Sequence, residues 1–262
     1  MRIATWNVNS VRARVDRVAA WVARNDVDVV ALQETKCRDD QFPYDRFAAL
    51  GYEVAHHGHS QWNGVAIASR VGLADVTPAF PGQPGWGEPL AAEARALGVT
   101  CAGVRLWSVY VPNGREVGEP HYAYKLDWLG RLRDAAQAWL GADADAQVAL
   151  MGDWNIAPQD DDVWDMTAFE GATHVSPPER AAFATFEAAG FTDLVRSYAP
   201  GPGVYTYWDY KRLRFARREG MRIDFVLCSP ALAARVTGAR IDREERKAKG
   251  ASDHAPVVVD LD

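Results

Sequence analysis

One stretch of this chain narrows its possible folds more than any other. Val148-Ala149-Leu150-Met151 is unbroken apolar sequence of strand character, and it stops abruptly at Gly152-Asp153-Trp154-Asn155. A run without polar alternation reads as a strand buried on both faces, inside a sheet that is covered on each side. Glycine lets the chain turn where a Cβ would clash. Asp153 and Asn155 are two positions apart, so an extended exit points both off the end of the sheet and turns Trp154 the other way, into packing. Alone, a G-D-x-N sequence is better read as an Asx turn that ends a strand. Partners elsewhere in the chain decide between a turn and a site.

Those partners come from other strand ends. Residues 2–8 read as a short strand leading to Asn7 and Asn9, with Asn9 or Ser10 as the cap of the next helix. That helix is marked by the stripe Val11, Val15, Val18, Val22. A second buried run, Val27 to Leu32, ends at Gln33-Glu34-Thr35-Lys36. This βαβ opening favours a layered α/β fold with its chemistry at strand ends. A short helix follows at 42–50, then strands at 52–57 and 64–69, the second opened by Asn63-Gly64. Residues 78–89 read as a surface loop, and 93–100 with 104–111 as a hairpin ending in Tyr110-Val111-Pro112-Asn113. The spacing of Tyr122, Leu126, Leu129, Leu132, Ala136 and Leu140 predicts a long amphipathic helix before the 147–152 strand. Beyond it come a helix near 178–189, the aromatic stretch 205–210, a strand at 222–228, and Ser252-Asp253-His254-Ala255-Pro256 leading into Val257-Val258-Val259. Apolar strands and helices in both halves predict an α/β sandwich of four layers, two packed mixed sheets between helices.

The 262 residues, 48% hydrophobic, suffice for one large core, and no linker or low-complexity tract divides them, so residues 1–262 are expected to form a single domain. Three cysteines without CxxC or Cys/His spacing argue against a disulfide framework or a zinc site. The chain enters a strand at once, with no signal peptide and no membrane-length apolar run, so a cytoplasmic protein is expected. A net charge of −6 counts against diffuse nucleic-acid binding, yet Lys211, Arg212, Arg214, Arg217 and Arg218 concentrate five cations within positions 211–218.

The strand ends form a constellation: Asn7, Glu34, Tyr110, Asp153 with Asn155, and Asp253 with His254, joined by Asp224 inside the 222–228 strand. Polar groups abutting apolar strands are costly to bury unpaired, so they should meet each other or a ligand. Carboxylates without thiolates suit a hard cation, Mg²⁺ or Mn²⁺, better than zinc, with Glu34 as its principal ligand. A cation, a histidine and a further carboxylate fit phosphodiester hydrolysis, where charge on a phosphoryl group must be neutralised.

On six motifs the chain resembles the exodeoxyribonuclease III family of apurinic/apyrimidinic endonucleases, within the endonuclease/exonuclease/phosphatase superfamily that includes deoxyribonuclease I. They are Ile3-Ala4-Thr5-Trp6-Asn7-Val8-Asn9, Leu32-Gln33-Glu34-Thr35-Lys36, Tyr110-Val111-Pro112-Asn113, Gly152-Asp153-Trp154-Asn155, Arg222-Ile223-Asp224 and Ser252-Asp253-His254-Ala255-Pro256, in family order along nearly the whole chain. The resemblance implies the four-layer fold and a Mg²⁺ site, with Mn²⁺ able to substitute, on Glu34 with Asn7 and Asp253. It also implies a water activated by Asp153 and aligned by Asn155, a His254–Asp224 pair on the scissile phosphate, and Tyr110 as a donor to the phosphate or the leaving oxygen. Asp153 and Tyr110 both remain open as the base, and Asp153 with Asn155 as a second metal site. Tyr207, Met221 and Ile223 match the wall of a pocket for a flipped-out baseless sugar, and Trp208, Lys211, Arg212, Arg214, Arg217 and Arg218 a loop that enters a DNA groove. Two positions depart from family patterns: Met221 stands where tryptophan or leucine is common, and Asn9 where some members have aspartate.

The implied activity is Mg²⁺-dependent incision of duplex DNA 5′ to abasic sites, with removal of 3′ nucleotides or 3′ blocks, by a monomer that needs no membrane. Two alternatives stand beside it: the same chemistry on undamaged nucleic acid or on a phospholipid or inositol phosphate, and a non-catalytic DNA-binding module. Several residues keep plainer readings. Asp160 to Asp162 are expected in a solvated loop and helix start, His56, His57 and His59 at a polar strand end and turn, and Trp21, Trp128 and Trp139 in packing. Arg12, Lys36 and Lys125 are equally phosphate contacts or parts of a solvated face.

Overall fold

The computed structural model describes residues 1–262. In chain order the elements that build the site are β1 (Arg2–Asn7), α1 (Val11–Arg24), β2 (Val29–Gln33), α2 (Tyr44–Ala48), β3 (Glu53–His57), β4 (Val65–Ser69), β5 (Ala74–Pro78), β6 (Ala96–Cys101), β7 (Val104–Tyr110) and α3 (Pro120–Ala142). They continue with β8 (Val148–Asp153), α4 (Pro177–Ala188), β9 (Thr192–Asp193), β10 (Asp224–Cys228), β11 (Val236–Ile241) and β12 (Val257–Leu261). The strands form two six-stranded sheets, ordered β11-β12-β1-β2-β4-β3 and β5-β6-β7-β8-β10-β9. Only β1–β2 and β7–β8 are parallel; the other pairings are antiparallel.

The period-2 pleat explains the layers. In β1, Ile3 faces the other sheet while Ala4 and Trp6 face α1. The inter-sheet layer is apolar: Val29 and Ala31 of β2 and Leu106 of β7 meet Ala149 and Met151 of β8, with Val226 of β10 and Val257 and Val259 of β12. Val18, Trp21 and Val22 of α1 cover one outer face. Trp128, Leu129 and Leu132 of α3, with Phe183 and Phe186 of α4, cover the other, over Leu150, Trp154 and Phe225. Trp154 therefore packs as its alternation requires. The four-layer sandwich expected from the sequence is the observed fold.

The fold also corrects several expectations. The strand expected at 222–228 begins at Asp224, because Arg222 instead donates its N–H to the Asp162 carbonyl at 2.8 Å. The hairpin strand expected from 93 begins at Ala96. Neither Asn9 nor Ser10 caps α1 with its side chain. The entry is secured by backbone: Ser10 N–H donates to the Glu34 carbonyl (2.7 Å) and Val11 N–H to the Thr35 carbonyl (3.1 Å), which ties the helix start to the end of β2. Asp162 is not solvated. It is fully buried, with its Oδ1 2.6 Å from Arg222 Nε and in contact with Arg196. Lys125, expected at a phosphate or in solvent, is fully buried against Glu179.

Candidate active site

The two parallel pairs end, and β10 and β12 begin, on one rim of the sandwich. Asn7 lies opposite Gln33, Tyr110 opposite Asp153, and Asp153 opposite Asp224. The same pleat that points Ile3, Ala149, Met151 and Val226 into the core points Asn7, Asp153 and Asp224 into its last layer. Polar groups one pleat deeper are mutually satisfied: Gln33 Nε2 donates to Thr5 Oγ1 (2.9 Å) and Ser108 Oγ (3.0 Å), and Ser108 Oγ donates to the Leu32 carbonyl (3.1 Å). Gly152 is required for close approach, since a Cβ there would stand 1.9 Å from the Val109 carbonyl oxygen of β7.

Asn7 is the hub of the rim. Its Nδ2 donates to Glu34 Oε1 and to Asp153 Oδ2, each at 2.9 Å. Glu34 has left-handed backbone (φ 52°) and its Oε2 is 2.7 Å from Lys36 Nζ, which also donates to Asn9 Oδ1 at 2.5 Å. Asn9 Nδ2 donates to Asp253 Oδ1 (3.0 Å). His254 has Nδ1 2.8 Å from Asp224 Oδ2 and Nε2 3.8 Å from Asp153 Oδ2, with the Tyr207 ring against it at 4.9 Å. Tyr110 lies under the Arg95 guanidinium, 4.8 Å from its ring, and Arg95 is held by Glu93 at 2.6 Å.

Burial dominates the electrostatics. It lowers the His254 pKa, but Asp224 and Asp153 outweigh it and raise it to about 10, so the imidazole is cationic at neutral pH. Burial pushes the Asp153 carboxyl up to about 7; Asp224 and Glu34 push the same way and His254 opposes them. Burial also pushes Glu34 up, yet Lys36 and Asn7 hold it below the ordinary value. The Tyr110 phenol is raised well above its usual range by burial and by Glu34, and stays protonated.

The cleft encloses about 190 Å³ and is lined by Glu34, Tyr110, Asp153, Asn155, Asp253 and His254 together with Tyr207, Met221 and Ile223. The catalytic, metal and pocket residues expected from the sequence line it, except Asn7 and Asp224, which stand behind the lining bonded to Glu34 and Asp153 and to His254. Four carboxylates (Glu34, Asp153, Asp224, Asp253) face two cations, His254 and Lys36. Asp224 Oδ1 is buried without a partner, and ligand atoms of Glu34, Asp153 and His254 lie within 4.8 Å of one another. With His254 protonated and engaged by Asp224, this excess of hard, negative oxygen fits a divalent cation held by Glu34 and Asp153.

Two expected placements change. The exit after Asp153 is not extended: Asn155 has φ 51°, and its N–H, not its side chain, meets Asp153 Oδ1 (2.9 Å). This is the Asx turn, formed inside the site. The Asn155 side chain turns to the Val111 carbonyl (2.9 Å) and to Asn113 and His174 (both 3.2 Å). Trp208 cannot touch DNA, because it is 1% exposed beneath Phe215 (5.2 Å) and the Arg243 guanidinium (5.5 Å). It anchors the basic segment. Lys211, Arg212, Arg217 and Arg218 are exposed, whereas Arg214 is drawn to Glu219 (3.0 Å) and over the Trp164 ring (5.1 Å), and Arg217 to Glu219 (2.7 Å).

Sequence reading missed His174, which lines the cleft and whose pKa is lowered to about 4 by burial and by Lys125, leaving it neutral. It also missed the support beneath it. Lys125 Nζ donates to the Asn155 carbonyl (2.6 Å), the Asn113 carbonyl (3.2 Å) and Glu179. Glu179 accepts from His174 N–H (2.9 Å) and Thr173 Oγ1 (2.6 Å). The only signal was Ser176-x-x-Glu179, a capping box that marks the start of α4, not a loop facing the rim.

The sequence model of the endonuclease/exonuclease/phosphatase family matches residues 4–254. The chain is 30% identical to the exodeoxyribonuclease of Bacillus subtilis (strain 168), over 98% of each chain. Among solved structures, a 3′ phosphatase of Neisseria, NExo, bound to a product DNA hairpin, superposes with a TM-score of 0.94 at 35% identity, covering 100% of this chain and 99% of that one. An AP endonuclease from Archaeoglobus fulgidus superposes with a TM-score of 0.92 at 33% identity, with the same coverage.

Proposed function

Because the chain belongs to the endonuclease/exonuclease/phosphatase family, as a phosphodiester hydrolase of exodeoxyribonuclease III type, we propose that it repairs duplex DNA by incising 5′ to abasic sites and by clearing nucleotides or blocking groups from 3′ ends. The observation that carries this reading is the placement of His254, cationic and fixed on Asp224, beside the high-pKa carboxylate of Asp153 at the mouth of a cleft walled by Tyr207, Met221 and Ile223. Three assignments follow for the reacting groups. Asp153 activates or orients the attacking water: in the metal-free protein burial raises its carboxyl to about 7, a stronger proton acceptor than an exposed carboxylate. Tyr110, held protonated, is a donor to a phosphoryl or leaving oxygen and not a base. His254 offers Nε2–H to a phosphoryl oxygen as a charge-assisted donor.

Glu34 and Asp153 would hold a divalent cation, Mg²⁺ or Mn²⁺, which when bound would neutralise charge developing on the phosphoryl oxygens. Asn7 fixes both carboxylates relative to each other. Asn155, through its N–H, fixes the Asp153 rotamer. The apolar wall favours a baseless sugar, and Lys211, Arg212 and Arg218, which form no ion pair in the structure, are the cations that meet phosphates. The same reading has the chain act as a monomer. No helix is long and apolar enough to cross a membrane.

The test is a duplex carrying one tetrahydrofuran residue, beside an undamaged duplex with a recessed 3′ end. Mg²⁺-dependent incision 5′ to the tetrahydrofuran at catalytic enzyme concentration is expected. Absence of incision with the metal present would remove the reading.

A further inference from the structure

The wall that separates the cleft from the basic segment is thin, and a second cavity lies behind it. Tyr207 and Met221 exchange backbone hydrogen bonds (2.9 Å in each direction), Tyr207 bridges to His254 on one side, and Met221 to Val163 on the other. This four-member ladder starts at the reacting histidine, and successive members stand ~4.8 Å apart. Behind Tyr207 and Met221, the middle pair of the ladder, lies a cavity of about 150 Å³ lined also by Trp164, Phe169, Arg214 and Glu219. Tyr207 and Met221 line both spaces.

The chemistry of this cavity excludes most ligands the neighbouring cations would suggest. The Arg214 guanidinium is 3.0 Å from Glu219 and lies over the Trp164 ring, so it is already neutralised. Asp209 adds a second carboxylate to the lining. An anion, and so a phosphate, is disfavoured there. What remains is the Trp164 ring, with Phe169 set edge-on at 6.5 Å and the Arg214 guanidinium over it at 5.1 Å, next to the carboxylate acceptors Asp209 and Glu219. That combination stacks a neutral heteroaromatic ring and bonds its edge. Met221 is the one side chain between the two spaces with a flexible thioether.

We infer that this cavity is a subsite for the nucleobase of the nucleotide being removed from a 3′ end: the sugar occupies the cleft against Tyr207 and Ile223, Met221 moves aside, Arg214 gives up the Trp164 ring, and the base stacks in its place. The inference rests on the reading of the cleft as a DNA phosphodiesterase and adds to it. A baseless sugar uses the cleft alone; a normal terminal nucleotide uses both spaces.

The test compares three duplexes under single-turnover conditions: a recessed unmodified 3′ end, the same end carrying a 3′-phosphate, and an internal tetrahydrofuran. Only the first carries a base on the group that enters the cleft. Trp164→Ala is expected to lower kcat/KM for nucleotide removal roughly 5- to 150-fold, the range of a lost base–aromatic stack, and to leave the other two substrates within about twofold; Trp164→Phe should restore most of the loss. An equal fall on all three, or no change on any, overturns the inference. A measurement on the unaltered protein stands beside it. A deoxynucleoside 5′-monophosphate should inhibit tetrahydrofuran incision at lower concentration than deoxyribose 5-phosphate, and equal inhibition, or none by either, overturns it. Failure of the unaltered chain on all three duplexes would instead remove the nuclease reading itself. Incision and phosphate removal without any nucleotide release would leave that reading standing and remove this one.

Discussion

Asp153 and Asp224 stand directly opposite each other on β8 and β10, both about 1% exposed. Like charges in that relation destabilise a sheet, so the pairing persists because His254 lies against both, at 2.8 Å from Asp224 and 3.8 Å from Asp153. The raised His254 pKa is a consequence of this arrangement. Asp224→Asn removes the stronger of the two attractions, so His254 should lose its proton at lower pH, visible as a shift in its imidazole NMR titration. Loss of a charge-assisted donor of this kind lowers kcat by about 10²–10³. We expect that loss for both Asp224→Asn and His254→Asn in tetrahydrofuran incision. An Asp224→Asn protein that incises normally with an unshifted His254 would contradict the role given to the pair.

Metal affinity should depend on the Asp153 proton. Its pKa is raised, to about 7, so the protonated form dominates below that pH and must release its proton before the carboxylate can ligate. Affinity for Mg²⁺ or Mn²⁺ is then expected to fall as pH drops below 7, approaching about tenfold per unit. Calorimetry in buffers of different ionisation enthalpy should show about one proton released per cation at pH 6 and almost none at pH 8.5. Affinity independent of pH across that range would show that Asp153 is not a ligand. Glu34→Gln should weaken binding at every pH.

Most of the fold that was legible is buried on both faces or along a full stripe; the edge strand β3, only half-buried, was marked instead by its hairpin turn at Asn63-Gly64. Val148 to Met151, Val29 to Leu32 and the α3 stripe carry their apolar pattern in the sequence because the core demands it. The edge strand β5 is mostly exposed and β11 half-buried; nothing presses an apolar rhythm onto them, and neither was foreseen. The site was legible where a polar residue interrupts an apolar strand, as at Asn7, Glu34, Asp153 and Asp224. It was not legible where backbone sets direction. Asn155 leaves the extended path through a left-handed turn, and Trp208, between exposed-looking neighbours, folds under the segment it was expected to project. Lys125, Glu179 and Asp162 are charged residues in full burial, a placement that needs partners from distant segments and leaves no local trace.

The Lys125–Glu179 pair should behave as a positioning device. It ties the Asn113 and Asn155 carbonyls to the start of α4 in a fully buried setting. Removing one partner leaves an uncompensated buried charge, at a cost of about 3–5 kcal/mol. Lys125→Met and Glu179→Met should each lower stability by that order in denaturant titration, and the double variant by much less than the sum. Even the double variant should lose kcat more than KM, because Asn113, Asn155 and His174 lose their shared anchor. Full activity in the double variant would mean that the pair serves stability alone.

Salt dependence should separate the free cations of the basic segment from the engaged ones. An acidic chain with net charge −6 binds a polyanion only through a local cationic face. Each phosphate contact on duplex DNA releases counterions and steepens the dependence of log affinity on log salt by about 0.9. Lys211, Arg212 and Arg218 are exposed and form no ion pair, so each is available in full. Substituting any of them by alanine should flatten the slope by up to that amount and weaken tetrahydrofuran and undamaged duplexes alike, with kcat at saturation unchanged. Arg214 must first leave Glu219 and the Trp164 ring, and Arg217 must leave Glu219. Their alanine variants should change the slope by clearly less. Trp208→Ala should act by another route: removal of a buried tryptophan costs about 3–5 kcal/mol of stability, and the loop it anchors loosens. Its signature is a lowered Tm with DNA affinity falling through loss of loop order, at a slope close to that of the unaltered chain. Equal slopes for the Arg212→Ala and Arg214→Ala proteins would show that the ion pairs around Glu219 open on binding, and that the whole segment from 211 to 218 engages the duplex as one unit.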